Sequence, residues 1–110
     1  MVTGVVERFT VWRVNLNPTK GSEQAGYRPV LVISSAEMNQ HLNTVIVAPM
    51  TTRKRGWPTR VSIHHTGRDG EVALDQIRTL DKSRLVQGMG ILESTYQEQV
   101  LDVLVEMFSP

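Results

Sequence analysis

The sequence predicts an α+β fold, a small and strongly bent, mostly antiparallel β-barrel or sheet with one C-terminal helix packed on it. Three observations carry that expectation. Short apolar segments, several of them alternating with polar residues and separated by turn residues, recur from Phe9 to Leu92, which is a β pattern. After Ser94 the apolar spacing changes to a helical period. And 110 residues, 40% of them hydrophobic, suffice for one core, so 1–110 reads as a single domain.

The elements follow in order. Phe9–Asn17 alternates, with Trp12, Val14 and Leu16 on one face and Arg13 and Asn15 on the other, until Pro18 stops it. Pro18–Tyr27 is a polar loop. Arg28–Ser35 is a second strand whose run Val30–Ile33 is apolar on both faces, as in a central strand. Ser35–Leu42 reads as a short helical turn capped by Ser35. Thr44–Met50 is a third strand in which Pro49 marks a bulge or an edge. Thr51–Pro58 is an exposed basic loop. In Thr59–His64, Val61 and Ile63 face inward while Arg60 and Ser62 face outward. His65–Gly70 is a turn, Glu71–Leu80 and Val86–Leu92 are further strands, and Asp81–Leu85 is a helical turn between them. Ser94 and Gln97 form a capping box. Beyond it Tyr96, Val100, Val103, Leu104 and Met107 share one helical face, with Glu98, Asp102 and Glu106 on another.

Composition removes several function classes. Cysteine is absent, which excludes a disulfide scaffold, a thiol nucleophile and a cysteine zinc site. Met1–Thr10 contains Glu7 and Arg8 without a long apolar stretch, so no secretory signal is expected. Val30–Ile33 and Val45–Met50 are too short to span a bilayer, and a soluble cytoplasmic protein is expected, with no membrane partner. The formal charge is only +1, but it is unevenly distributed. Met38–Arg68 contains Arg53, Lys54, Arg55, Arg60 and Arg68 and no acid, whereas the chain after Arg84 contains acids and no Lys or Arg.

The search for chemistry narrows to a few strand ends. His41, His64 and His65 lack metal-ligand spacing, and a two-histidine acid–base pair is the less economical reading of His64 and His65. No phosphate-binding P-loop and no nucleophile elbow occurs. Arg28 stands between a polar loop and a buried strand, and Thr51 and Thr52 end the third strand just before Arg53, Lys54 and Arg55. A fixed guanidinium, hydroxyls and a basic rim suit a phosphodiester. Tyr27 and Trp57 lie in the adjoining loops, where either ring can stack on an unpaired base. Taken singly, each residue also has a plain structural role: Arg28 pairing with Glu23, the threonines ending a strand, Trp57 packing under its loop.

Asn17-Pro18-Thr19-Lys20-Gly21-Ser22-Glu23-Gln24-Ala25-Gly26-Tyr27-Arg28-Pro29 resembles the N-terminal signature of the MazF/PemK family of toxin endoribonucleases. Val47-Ala48-Pro49-Met50-Thr51-Thr52, Trp57-Pro58-Thr59-Arg60-Val61, Leu74-Asp75-Gln76-Ile77-Arg78 and Asp81-Lys82-Ser83-Arg84-Leu85 agree in order and spacing. The resemblance runs from Phe9 onward. It departs where Phe9-Thr10 stand in place of the usual Gly-Asp, so no contact of that Asp carries over. It implies an SH3-like barrel of the CcdB/MazF type, a homodimer, and metal-independent, sequence-specific cleavage of single-stranded RNA with no cofactor. It further implies an antitoxin partner whose acidic, disordered tail covers the RNA groove. By motif position Arg28 and Thr51 take the catalytic assignments, and Glu23 and Gln76 take places in or beside the RNA site. Gln24, Thr52, Arg53, Lys54, Arg55 and Trp57 complete the expected RNA-binding set. Two other readings stand beside this one. A CcdB-like gyrase inhibitor is associated with a Trp-Gly-Ile ending, where this chain has Phe108-Ser109-Pro110. A non-catalytic RNA-binding module would keep the basic loop without needing Arg28 or Thr51.

Overall fold

Val30, Leu31, Val32 and Ile33 are all buried, although neighbouring side chains on a strand face opposite ways. Both faces of that segment are therefore covered, and the sheet is organised around it. The computed structural model describes residues 4–16 and 26–110. In chain order it contains β1 (Thr10–Asn15), β2 (Tyr27–Val32), α1 (Ala36–His41), β3 (Thr44–Thr51), β4 (Arg60–His65), β5 (Arg68–Ala73), β6 (Arg78–Asp81), β7 (Leu85–Ile91) and α2 (Ser94–Met107).

All pairings are antiparallel and the strand order is β4-β5-β3-β2-β1-β7, with β6 also on β3. The sheet curls into a half-barrel whose two edges are β4 and β7, and α2 packs against β4. Alternation sorts the core into two parts. Val14, Val30, Val32, Val45, Val47, Leu80 and Leu85 pack on one side of the sheet. Leu31, Ile33, Ala48, Val61, Ile63, Val72, Leu74 and Val100 pack on the other, where Tyr96, Val103, Leu104 and Met107 of α2 join them. The predicted apolar face of the C-terminal helix is thus the face that docks.

Ser35 caps α1 as expected, its hydroxyl accepting from the Met38 N–H at 3.2 Å. Asn39 of α1 is wholly buried and donates to the carbonyls of Val6 and Ser34, which ties the helix to the sheet margin. Elsewhere the elements differ from the sequence expectations in several places. Along β1 and the residue after it, Trp12, Val14 and Leu16 pack on one side as expected, but Val11 on the other face is buried too, because the curled sheet covers both faces. The expected strand Glu71–Leu80 is divided by a 3-10 turn at Leu74–Gln76, which lets β5 pair with β4 while β6 returns to β3. The expected turn at His65–Gly70 shrinks to Thr66-Gly67, both with positive φ (49° and 77°), a tight hairpin that pairs His65 with Arg68. At α2 the cap is Glu93, with no side-chain cap bond, and Gln97 instead donates through Nε2 to the Leu92 carbonyl. Ser94 is already helical there, so the capping box does not form.

Candidate active site

Arg28 and Thr51 come together because β2 begins where β3 ends. β2 pairs with β3 through Val30–Pro49, Leu31–Ala48 and Val32–Val47. Continued two residues, that register brings Arg28 level with Thr51, but the ladder has stopped. Pro49 has no N–H to donate, and Met50 and Thr51 pair with Val72 and Glu71 of β5. A cleft of about 670 Å³ opens between the diverging strand ends. It is lined by Arg28, Thr51, Thr52 and Gln76 among the expected residues, and by Arg68 and Arg78 in addition. No carboxylate is among the described residues that line it, so three guanidiniums face one cavity.

The Thr51 hydroxyl is oriented locally. Its Oγ1 accepts from the Arg53 N–H at 3.1 Å, which leaves the hydroxyl proton available to donate. Arg28 is exposed on β2, with its backbone fixed by pairing to Val14 of β1. A positioned hydroxyl donor and an accessible guanidinium are the groups that a developing phosphoryl charge requires.

The basic loop is anchored from beneath, by residues that sequence periodicity assigned otherwise. Arg60, expected to face outward, has a side chain only 5% exposed. It donates through Nε to Asp75 Oδ1 at 2.7 Å and through Nη1 to Glu71 Oε1 at 3.3 Å. Glu71, itself buried, also accepts from the backbone N–H groups of Arg55 and Gly56 at 2.9 and 2.8 Å. The Arg55 N–H first, then the Gly56 N–H and Arg60, hold the Glu71 carboxyl below its usual pKa. Hydrogen bonding from Arg60 first, and from Thr59, does the same for Asp75, while Asp75 and Glu71 raise Arg60. The alternation of β4 is real, but the loop folds back over the outer face and buries Arg60. A buried cation needs partners, and both lie in β5 and the turn after it, far enough along the chain to escape a local pattern.

Arg53, Lys54, Arg55 and Trp57 are exposed on that loop and do not line the cleft. The Trp57 ring lies 4.7 Å from the Arg60 guanidinium and 5.5 Å from that of Arg55, and is about half exposed. Glu23 and Gln24 lie outside the described residues. His64 and His65 diverge: His64 Nδ1 lies 2.6 Å from Asp69, and His65 Nε2 lies 2.8 Å from the Met89 carbonyl. Among the described residues no helix is long and apolar enough to cross a membrane.

Residues 7–108 match the family of PemK-like, MazF-like toxins of type II toxin–antitoxin systems. Three solved structures are similar over nearly the whole chain. One is an endoribonuclease in complex with its cognate antitoxin from a mycobacterial species, at 26% identity and TM-score 0.82, covering 96% of this chain and 97% of that one. Another is MazF from Deinococcus radiodurans, at 29% identity and TM-score 0.79, covering 98% and 100%. The MazE–MazF complex from the same organism gives 30% identity and TM-score 0.78, covering 94% and 96%. This chain belongs to the PemK-like, MazF-like toxin family.

Proposed function

We propose that this protein is a toxin endoribonuclease that cleaves single-stranded RNA at specific sequences without a metal ion. The observation that carries the reading is the shared cleft of Arg28 and Thr51, with further arginines and no acid among the described residues that line it. The ribose 2′-OH attacks the adjacent phosphorus and expels the 5′-oxygen, leaving a 2′,3′-cyclic phosphate and a 5′-hydroxyl end. Negative charge gathers on the non-bridging oxygens in the transition state, and Arg28 and the Thr51 hydroxyl stabilise it. Arg28 contributes charge and a planar donor fork that matches two phosphoryl oxygens. Thr52, Gln76 and the loop residues Arg53, Lys54, Arg55 and Trp57 contact the strand on either side, joined by Glu23 and Gln24.

The RNA substrate fits a cytoplasmic protein whose cleavage of transcripts arrests translation and growth. Its partner is a cognate antitoxin, whose acidic disordered tail suits an arginine-lined cleft. The toxin acts as a homodimer. Leu101 and Val105 of α2 and Phe108 at its C-terminal cap are 38%, 67% and 71% exposed and make an apolar stripe away from the docked face. Incubation with a defined RNA in excess EDTA, followed by analysis of the new ends, tests the proposal. Cyclic phosphate and 5′-hydroxyl ends formed at an undiminished rate support it. Binding without cutting would identify a non-catalytic module, and a requirement for added divalent ions would reject the metal-free mechanism.

A further inference from the structure

A second cavity, of about 490 Å³, adjoins the cleft and shares Pro29, Met50, Thr51, Thr52 and Arg68 with it. It lies in the mouth of the half-barrel, with residues of the two sheet edges, β4 and β7, in its walls. Ile63, Met50 and Met89 give it an apolar floor. The His65 Nε2–H donates to the Met89 carbonyl at 2.8 Å, since that oxygen can only accept, and so ties one edge to the other across the cavity wall. The volume falls within the range of about 300–1,000 Å³ of small-molecule pockets.

The polar groups of this cavity are unequal. Its carboxylates are already engaged, Glu71 by Arg60 and the loop N–H groups, Asp69 by His64. Arg13 is different. Its guanidinium stacks over Tyr27 at 4.8 Å, and its Nε is buried without a hydrogen-bond partner among the described residues. A stacked guanidinium is held in one plane, and its fork matches two adjacent acceptors. An apolar floor beside a planar donor fork suits a flat heterocycle with an acceptor edge.

We propose that this cavity holds the nucleobase next to the scissile linkage, and that Arg13 selects it through paired acceptors such as O6 and N7 of guanine. The inference rests on the nuclease reading and extends it: Arg28 and Thr51 act on the linkage, while Arg13 chooses the neighbouring base. A short strand spans both sites because they share one wall.

The test is cleavage of a randomised single-stranded RNA pool by the wild type, Arg13→Met and Met89→Trp, with cut sites sequenced and melting midpoints measured. Arg13→Met keeps the long apolar stem and removes the donors. It is expected to flatten the preference at one position beside the cut by about tenfold or more, leaving other positions unchanged. Met89→Trp narrows the cavity and is expected to disfavour purines at that same position, which decides the matter if Arg13→Met does not fold. An unchanged preference profile in a folded variant, with a uniformly lower rate, overturns the base pocket and leaves the nuclease intact. A wild type that cuts no sequence in the pool overturns both.

Discussion

Gly70 of β5 passes directly beneath the backbone carbonyl of Thr51, so close that a methyl group at position 70 would stand 2.6 Å from that oxygen. The contact is between backbones, and a flexible side chain cannot move aside to relieve it. Gly70→Ala therefore displaces the end of β3, at an overpacking cost of about 1–3 kcal/mol. A shift of about 1 Å at a catalytic group costs on the order of 100-fold in rate. The expected result is a folded protein with a modestly lower melting midpoint and a disproportionate loss of RNA cleavage. Single-turnover rates beside thermal melts check it.

Arg28→Lys preserves the charge in the cleft and removes the planar fork. Cleavage is expected to fall by roughly 100- to 1,000-fold, the usual effect of losing one transition-state donor. Binding of an uncleavable 2′-O-methyl RNA, which reports the charge, is expected to change little. Near-normal cutting by the lysine variant would remove the geometric role assigned to Arg28.

Thr51 separates hydroxyl from shape. Thr51→Ser keeps a hydroxyl that can accept from the Arg53 N–H, whereas Thr51→Val keeps the volume and loses both functions. The serine variant is expected to retain measurable cleavage and the valine variant to lose on the order of 100-fold or more. Equal activity in the two variants would assign Thr51 to packing alone.

Much of the fold is written locally in the chain. The doubly apolar run Val30–Ile33, the Ser35 cap and the α2 face from Tyr96 to Met107 each depend on neighbours within a few residues, and each appears as expected. The misreadings share a cause. Arg60 is buried by carboxylates 11 and 15 residues away, and β1 is covered on both faces by the curl of the whole sheet. Neither is encoded in a local period. The site divides in the same way. Arg28, Thr51, Thr52 and Gln76 were legible through motif blocks, and the structure brings them to one cleft. Arg13 and Arg78 enter their cavities only because strands distant in sequence converge. The Gly70 contact is equally invisible without the β3–β5 pairing.

The network under the basic loop makes stability pH-dependent. Glu71 and Asp75 have folded pKa values lowered by the loop N–H groups and by Arg60 respectively. Their contribution is therefore complete above the ordinary carboxylate range and disappears as pH falls through the lowered folded values. Glu71→Gln removes the charge, so its melting midpoint is expected to lie below the wild type at neutral pH, with the gap closing in acid. A gap independent of pH would mean that Glu71 acts by shape alone. The loop N–H bonds of the variant, followed by amide hydrogen exchange at Arg55 and Gly56, locate the loss.

In the proposed reaction Arg28 and Thr51 serve an attack by the substrate's own ribose hydroxyl. The most direct measurement uses one RNA oligonucleotide carrying a single 2′-deoxy nucleotide on the 5′ side of the mapped cut. This strand is expected to bind within a few-fold of the all-ribose parent and to resist cutting at that linkage, while an unmodified second site in the same strand is still cleaved. Scission at the deoxy linkage at the parent's rate would contradict the proposed reaction.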